Sequence, residues 1–305
     1  MAAGAEVTRR GWVLFVSLCV IWGIPYLLIR VAVRDMSPVV VVFGRCAIAA
    51  ALLLPLALAR DQVRPVLRRW RPLAAFTAVE IALPWFLLAG AEQHLTSSLT
   101  GLLIAAVPLT GALLTGMMGE REPLSAQNGL GLALGFVGVA ALVGFDLGGI
   151  QGLPLAEVGL VVLGYALGPI LLSRYLGDLP DLGVIAVALA ATTVVYAPLA
   201  ALDPPTATPS WKATVSVVVL AVVCTALAFL IFFALITELG PVRALVVTYV
   251  NPAVAALLGV TLLGESFTAG MGVGFVLILI GSVLATKAGA RAAPRLEPQP
   301  ASRAP

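Results

Sequence analysis

Residues 108–122 read PLTGALLTGMMGERE and residues 252–265 read PAVAALLGVTLLGE. Aligned on Pro108 and Pro252, an offset of 144, the two stretches agree again at Ala112-Leu113-Leu114 and Ala256-Leu257-Leu258, and at an offset of 143 Glu122 meets Glu265. The register extends in both directions. Pro25, Leu27, Leu28 and Arg30 meet Pro169, Leu171, Leu172 and Arg174, Pro55 meets Pro198, and Gly129, Gly131 and Gly138 meet Gly272, Gly274 and Gly281. Alanine and leucine identities are cheap in an apolar chain, but prolines and glycines matched in order are not, so the chain is read as a tandem duplication.

The solvent of this duplicated unit is not water. Of 305 residues, 61% are hydrophobic and 11% charged, against about 25% charged in an ordinary soluble domain. Apolar runs predict ten spans, at 11–29, 39–59, 72–91, 98–118, 127–145, 154–173, 183–202, 212–236, 243–263 and 269–286. Each is long enough to cross a hydrocarbon core of about 30 Å as a helix, and too long for a barrel strand. Arg9-Arg10 before the first run imitates a signal peptide, but the run is long and lacks a small-residue cleavage pattern, so it reads as a retained helix.

The expected fold is therefore an all-α integral membrane protein of ten transmembrane helices in two five-helix repeats. Five is odd, so the second repeat crosses the bilayer inverted relative to the first. Inverted repeats suit a carrier, because two similar bundles can expose one central site to either side in turn. The expected organisation is an N-terminal segment at 1–10, a first repeat at 11–146, a second at 147–287 and a disordered Ala-, Pro- and Arg-rich tail at 288–305. With the N-terminus cytoplasmic, fourteen of the seventeen Lys and Arg residues other than Arg45 fall inside, five of them in RDQVRPVLRRWR (60–71). That asymmetry predicts both termini on the cytoplasmic side of an inner membrane. The net charge of +3 thus marks topology and gives no reason to expect nucleic acid.

The segment Trp22-Gly23-Ile24-Pro25-Tyr26, with Arg45 in span two, and the stretch from Cys224 to Thr268, with its Pro252 and closing Gly264-Glu265, resemble the two repeats of EamA-like members of the drug/metabolite transporter superfamily. The resemblance covers nearly the whole chain. It implies ten helices, a central cavity and transport of amino acids, other metabolites or toxic compounds, often outward. Glu80 departs from the pattern, standing where a small or apolar residue is expected.

Glu80 and Arg45 are the ionisable residues placed deepest in spans, about 12 Å from the inner end of span three and about 10 Å from the outer end of span two. A charge at a helix centre costs at least about 2.5–3.5 kcal/mol unless paired or hydrated, so both are expected to face the bundle interior. They form either a structural ion pair with each other or a substrate site, with Arg45 anchoring a carboxylate and Glu80 taking a proton or an amine. Pro25, Pro84, Pro108, Pro169 and Pro252 lie at mid-span, where each removes a backbone donor and favours a kink. Trp22, Tyr26, Trp85, Tyr165, Tyr249 and Asn251 cluster around these prolines and are the expected cavity lining. Ser97, Ser98 and Thr100 either extend that lining or bond back to their own helix. Glu120, Glu122 and Glu265 read as solvated helix ends without a role, and the glycines of spans five and ten, including Gly131, Gly135, Gly270 and Gly274, as close helix packing.

Cys19, Cys46 and Cys224 lie in apolar runs without metal-ligand spacing, and His94 is the single histidine, so no metal or cofactor is expected. With Lys212 and Lys287 the chain's two lysines, no phosphate-binding G-x-x-x-x-G-K-[ST] loop exists. The function implied is gradient-driven export of small metabolites such as amino acids, with a small-molecule solute and lipid as partners and protons as a coupling ion. A membrane-embedded transferase and a non-transporting scaffold or sensor are the competing classes. The oligomeric state carries no signature.

Overall fold

The computed structural model describes residues 8–118, 126–144, 152–240, 244 and 246–287. Ten long helices follow the ten apolar runs: α1 (Arg9–Ala32), α2 (Pro38–Ala59), α4 (Trp70–Ala91), α5 (Ser97–Met117), α6 (Ala126–Gly144), α7 (Gly152–Leu176), α8 (Asp181–Leu202), α9 (Trp211–Leu239), α10 (Val247–Leu263) and α11 (Ala269–Lys287). Polar punctuation starts several of them. Thr8, Ser37, Thr96 and Ser210 each accept a backbone N–H from the first turn of α1, α2, α5 and α9, supplying the donors' missing partners. The outward surface is apolar, with Leu160, Val194, Leu257 and Val276 each more than half exposed, as expected where the surroundings are lipid. The expected tail at 288–305, together with Glu120 and Glu122, lies outside the described residues.

One element was not expected. The basic connection 60–71 contains a short helix, α3 (Val63–Arg68), that buries Val63 and Val66 and leaves Arg64 and Arg68 exposed. Its two buried valines sit three apart, so one face meets the core while Leu67 and the arginines face outward. Arg69, just beyond it, forms a bidentate ion pair with Asp178 at 2.7 Å, joining the two halves at this, the near end of the bundle.

Counterpart helices pair across the halves: α2 packs along α8, and α6 along α11. The second pair is a glycine seam. A Cβ on Gly131 would lie 2.5 Å from the Ala285 nitrogen, one on Gly138 2.7 Å from the Gly274 oxygen, and one on Gly281 2.5 Å from the Gly135 nitrogen. Only residues without a side chain allow this approach, and dispersion between the backbones is the return. Between the paired flanks, α1, α4, α5, α7, α9 and α10 enclose the centre, with α10 against α1 and the first half of α5, and α4 against α7.

Candidate functional site

Three helices contain a wide π-turn: Thr77–Ala82 in α4, Leu172–Leu176 in α7 and Val222–Leu227 in α9. Such turns insert one residue into the ladder and are common at functional sites. Pro84 follows the first; lacking an N–H, it cannot bond the Glu80 carbonyl, and its ring would crowd that group in a regular helix. The turn in α9 has no proline to impose it. There the Thr225 hydroxyl donates to the Leu220 carbonyl at 2.8 Å, occupying an acceptor of the α-helical ladder. Pro169 stands just before the turn in α7, Pro108 follows a break in α5 at Ala105–Ala106, and Pro25 and Pro252 sit within α1 and α10.

Arg45 is buried, at 7% exposure. Its guanidinium lies 3.5 Å over the Trp85 ring, and its Nε donates to Thr225 Oγ1 at 2.9 Å. A desolvated cation–π contact of this kind is worth about 2 kcal/mol. Nε is the one guanidinium nitrogen with a protein hydrogen bond among the described residues, which leaves the Nη1/Nη2 fork unengaged. Glu80 is not its partner: no ion pair joins them. The structural pair considered from the sequence is therefore absent, because the π-turns aim Thr225 at Arg45 and Glu80 towards α7.

Glu80 projects into a notch made by Gly164 and Gly168 of α7. A Cβ on Gly168 would come within 1.8 Å of Glu80 Oε2, and one on Gly164 within 2.5 Å of the Val79 carbonyl. Oε2 is buried without a hydrogen-bond partner. Tyr165 stands beside the Trp85 indole and within electrostatic reach of Arg45, Glu80 and Glu92, and the buried Tyr26 lies in the same field.

The structure thus brings together Arg45, Glu80, Trp85, Tyr165 and Tyr26, from both halves. Trp22 is set apart, packed on Phe229 and Phe232 with ring centroids 6.2 and 5.0 Å away. Asn251 lies against Gly23 of α1 and keeps its Oδ1 buried and unpartnered. Tyr249 is half-buried, and its side chain makes no hydrogen bond or ring contact among the described residues. A shallow apolar groove of about 310 Å³ between α2 and α8, lined by Leu54, Pro55, Ala190 and Val194 among others, lies outside this cluster.

The end opposite α3, the far end, holds two carboxylates that the sequence reading passed over. Glu265 is no solvated helix end. Gly264, at φ +67°, ends α10 in a left-handed turn, and Glu265 follows with its N–H on the Gly259 carbonyl. Its side chain then accepts the backbone N–H groups of Ser97 and Ser98, both at 2.8 Å, and both hydroxyls. One carboxylate so clamps the start of α5 to the end of α10. The hydroxyls of Ser97 and Ser98 serve that clamp, while Thr100 bonds back to the Thr96 carbonyl. Glu92, the second, is wholly buried at the end of α4. It falls one residue past an apolar run and before Gln93-His94, which reads as an interface from sequence.

These features define a multi-pass helical membrane protein of two repeats with a charged, aromatic cluster between them. The EamA-like transporter family profile matches residues 9–144 and 158–287. The chain belongs to that family and is a membrane transporter, with five of the long helices in each matched segment. It is 28% identical over 256 residues to a protein of Escherichia coli strain K12 described as "Uncharacterized inner membrane transporter YedA", covering 83% of this chain and 82% of that one. The same protein from E. coli O157:H7 matches equally. A solved crystal structure shares the fold with a TM-score of 0.64 at 19% identity, over 92% of this chain and 98% of the other.

Proposed function

We propose that the protein carries small metabolites bearing a carboxylate, amino-acid-like zwitterions foremost, out across the inner membrane by alternating access driven by a gradient. The reading rests on one observation: Arg45 and Glu80 are buried in the same cluster and neither is spent on the other. The free Nη1/Nη2 fork of Arg45 suits a carboxylate bidentately. Trp85 and Tyr165 stand beside it, and Glu80 supplies an acid for a substrate amine or a proton. The basic connection 60–71 supports a cytoplasmic side for the near end and for both termini. The far end, clamped by Glu265, then faces outward, so this conformation is closed to the outside.

The test is counterflow in proteoliposomes with a panel of amino acids, nucleosides and cationic drugs, with and without a pH gradient. Zwitterionic solutes are expected to exchange, and Arg45→Leu to remove that exchange in protein that still purifies as a single species. Failure of every solute in the panel, or flux of cationic drugs alone that survives Arg45→Leu, would overturn the reading.

A further inference from the structure

Glu92 begins the tight connection 92–96 between α4 and α5 at the far end. Its side chain is 0% exposed, and it is the one acidic residue among the described residues with both carboxyl oxygens buried and without a hydrogen-bond partner. Its backbone, in contrast, is fully tied: the N–H reaches the Leu88 carbonyl at 3.0 Å, and the Glu92 carbonyl accepts from Arg30 Nη1. Arg30 engages that carbonyl and forms no ion pair with the carboxyl group, on which it acts electrostatically.

We propose that Glu92 is a proton-binding site of the transport cycle, carrying a proton while the far end is closed and releasing it to outside water when that end opens. The proposal rests on the alternating-access reading above. A carboxylate sealed without donors is strongly unfavourable, because it gives up its hydration for nothing; a carboxylic acid at the same place is far less so. The seal is the Glu265 clamp, which holds the start of α5 closed directly after the Glu92 connection. On opening, the carboxyl O–H bond breaks, the proton passes to water, and the carboxylate left behind is hydrated. Arg30 and Tyr26 face Glu92 from α1, Tyr165 from α7 and Glu265 from the α10–α11 connection, with Arg45 deeper on α2 and Glu157 and His94 on the flank. Burial pushes the Glu92 carboxyl well above the usual carboxylate range, the Glu265 carboxylate acts in the same direction, and Arg30 opposes both. The sign follows: the closed form binds the proton more tightly, so low pH favours closure and rising pH favours opening.

Hydrogen exchange of the full-length protein in lipid nanodiscs, read on the segment 95–103 and corrected for the chemical exchange rate, measures far-end opening from about pH 5 to about pH 9. In the wild type, opening is expected to rise towards about tenfold per pH unit, the slope of a single proton. Glu92→Gln is expected to stay closed with no slope. Glu265→Gln is expected to open more at every pH with the wild-type slope kept. Infrared difference spectra give an independent reading: a protonated-carboxyl band that titrates in the wild type and in Glu80→Gln but is missing in Glu92→Gln. A Glu92→Gln protein with the wild-type slope overturns the proposal, as does a Glu80→Gln spectrum with no titrating carboxyl band, which decides the matter even where Glu92→Gln does not assemble. Neither measurement reads solute flux, so a failed counterflow assay and a failed proton site are separate results.

Discussion

The π-turns at 77–82 and 222–227 occupy matching places in the two repeats, yet they do opposite things with a side chain. In α9 the turn is held by Thr225, whose hydroxyl gives its proton to the Leu220 carbonyl and takes one from Arg45, so both of its hydrogen-bonding roles are used. In α4 Pro84 blocks the regular ladder, and the side chain delivered is Glu80, whose Oε2 has no partner. At the offset of 143 that matches Pro55 with Pro198 in these two helices, the position of Arg45 in α2 falls on Ala188 in α8, a fully buried apolar residue. Duplication thus supplied the same backbone device twice. Divergence paired one copy and left the other free, which is how a symmetric scaffold acquires a one-sided chemical site.

The harshest way to break that contrast is Thr225→Glu. It sets a carboxylate against the buried Arg45 and removes the Leu220 partner; the expected loss of counterflow is about a hundredfold or more, in line with about 3–5 kcal/mol for a disturbed buried charge. Retained flux would mean that the Arg45 fork is not where the solute binds. Glu80→Gln comes next, keeping shape while removing the acid. Its counterflow rate is expected to lose the part of its pH dependence that does not come from far-end opening at Glu92, and a normally assembled variant with the wild-type pH profile would end any proton role for Glu80. Gly168→Ala should reproduce a weaker form of the same phenotype, about a two- to fivefold loss, because the added Cβ needs the space held by Glu80 Oε2 and must rotate it away. Smallest is Thr225→Ser, which keeps the hydroxyl. A change of no more than about twofold is expected, whereas Thr225→Val, leaving the Arg45 Nε–H unpaired, is expected to cost about 1–3 kcal/mol in melting measurements.

Hydropathy and the proline–glycine register placed the ten long helices within a few residues, because lipid forces every backbone group into its own helix and spans must be apolar throughout. The cluster was legible as far as composition reveals it: Arg45 and Glu80 stand out in apolar runs, and aromatic residues beside prolines are visible by eye. What the sequence hid was partnership. Thr225 lies within CTALAF and reads as filler, since one hydroxyl in a membrane helix usually bonds back to its own turn. Nothing in the spacing tells that it also receives Arg45 from another helix. Glu265 and Glu92 were hidden by location, for a carboxylate at a helix end is ordinarily hydrated, and only the meeting of α5 with α10 and α1 decides otherwise.

The glycine seam between α6 and α11 carries a consequence for how the molecule is put together. Contact there is backbone against backbone, so the surfaces that recognise each other need no specific side chains and no covalent tether. The two repeats are expected to behave as separable partners: fragments ending before and beginning after residues 145–151, produced from two transcripts, are expected to find each other in the membrane and restore flux. An alanine at Gly138 in one fragment is expected to abolish that reunion while leaving the uncut chain, held by its own linkage, less affected.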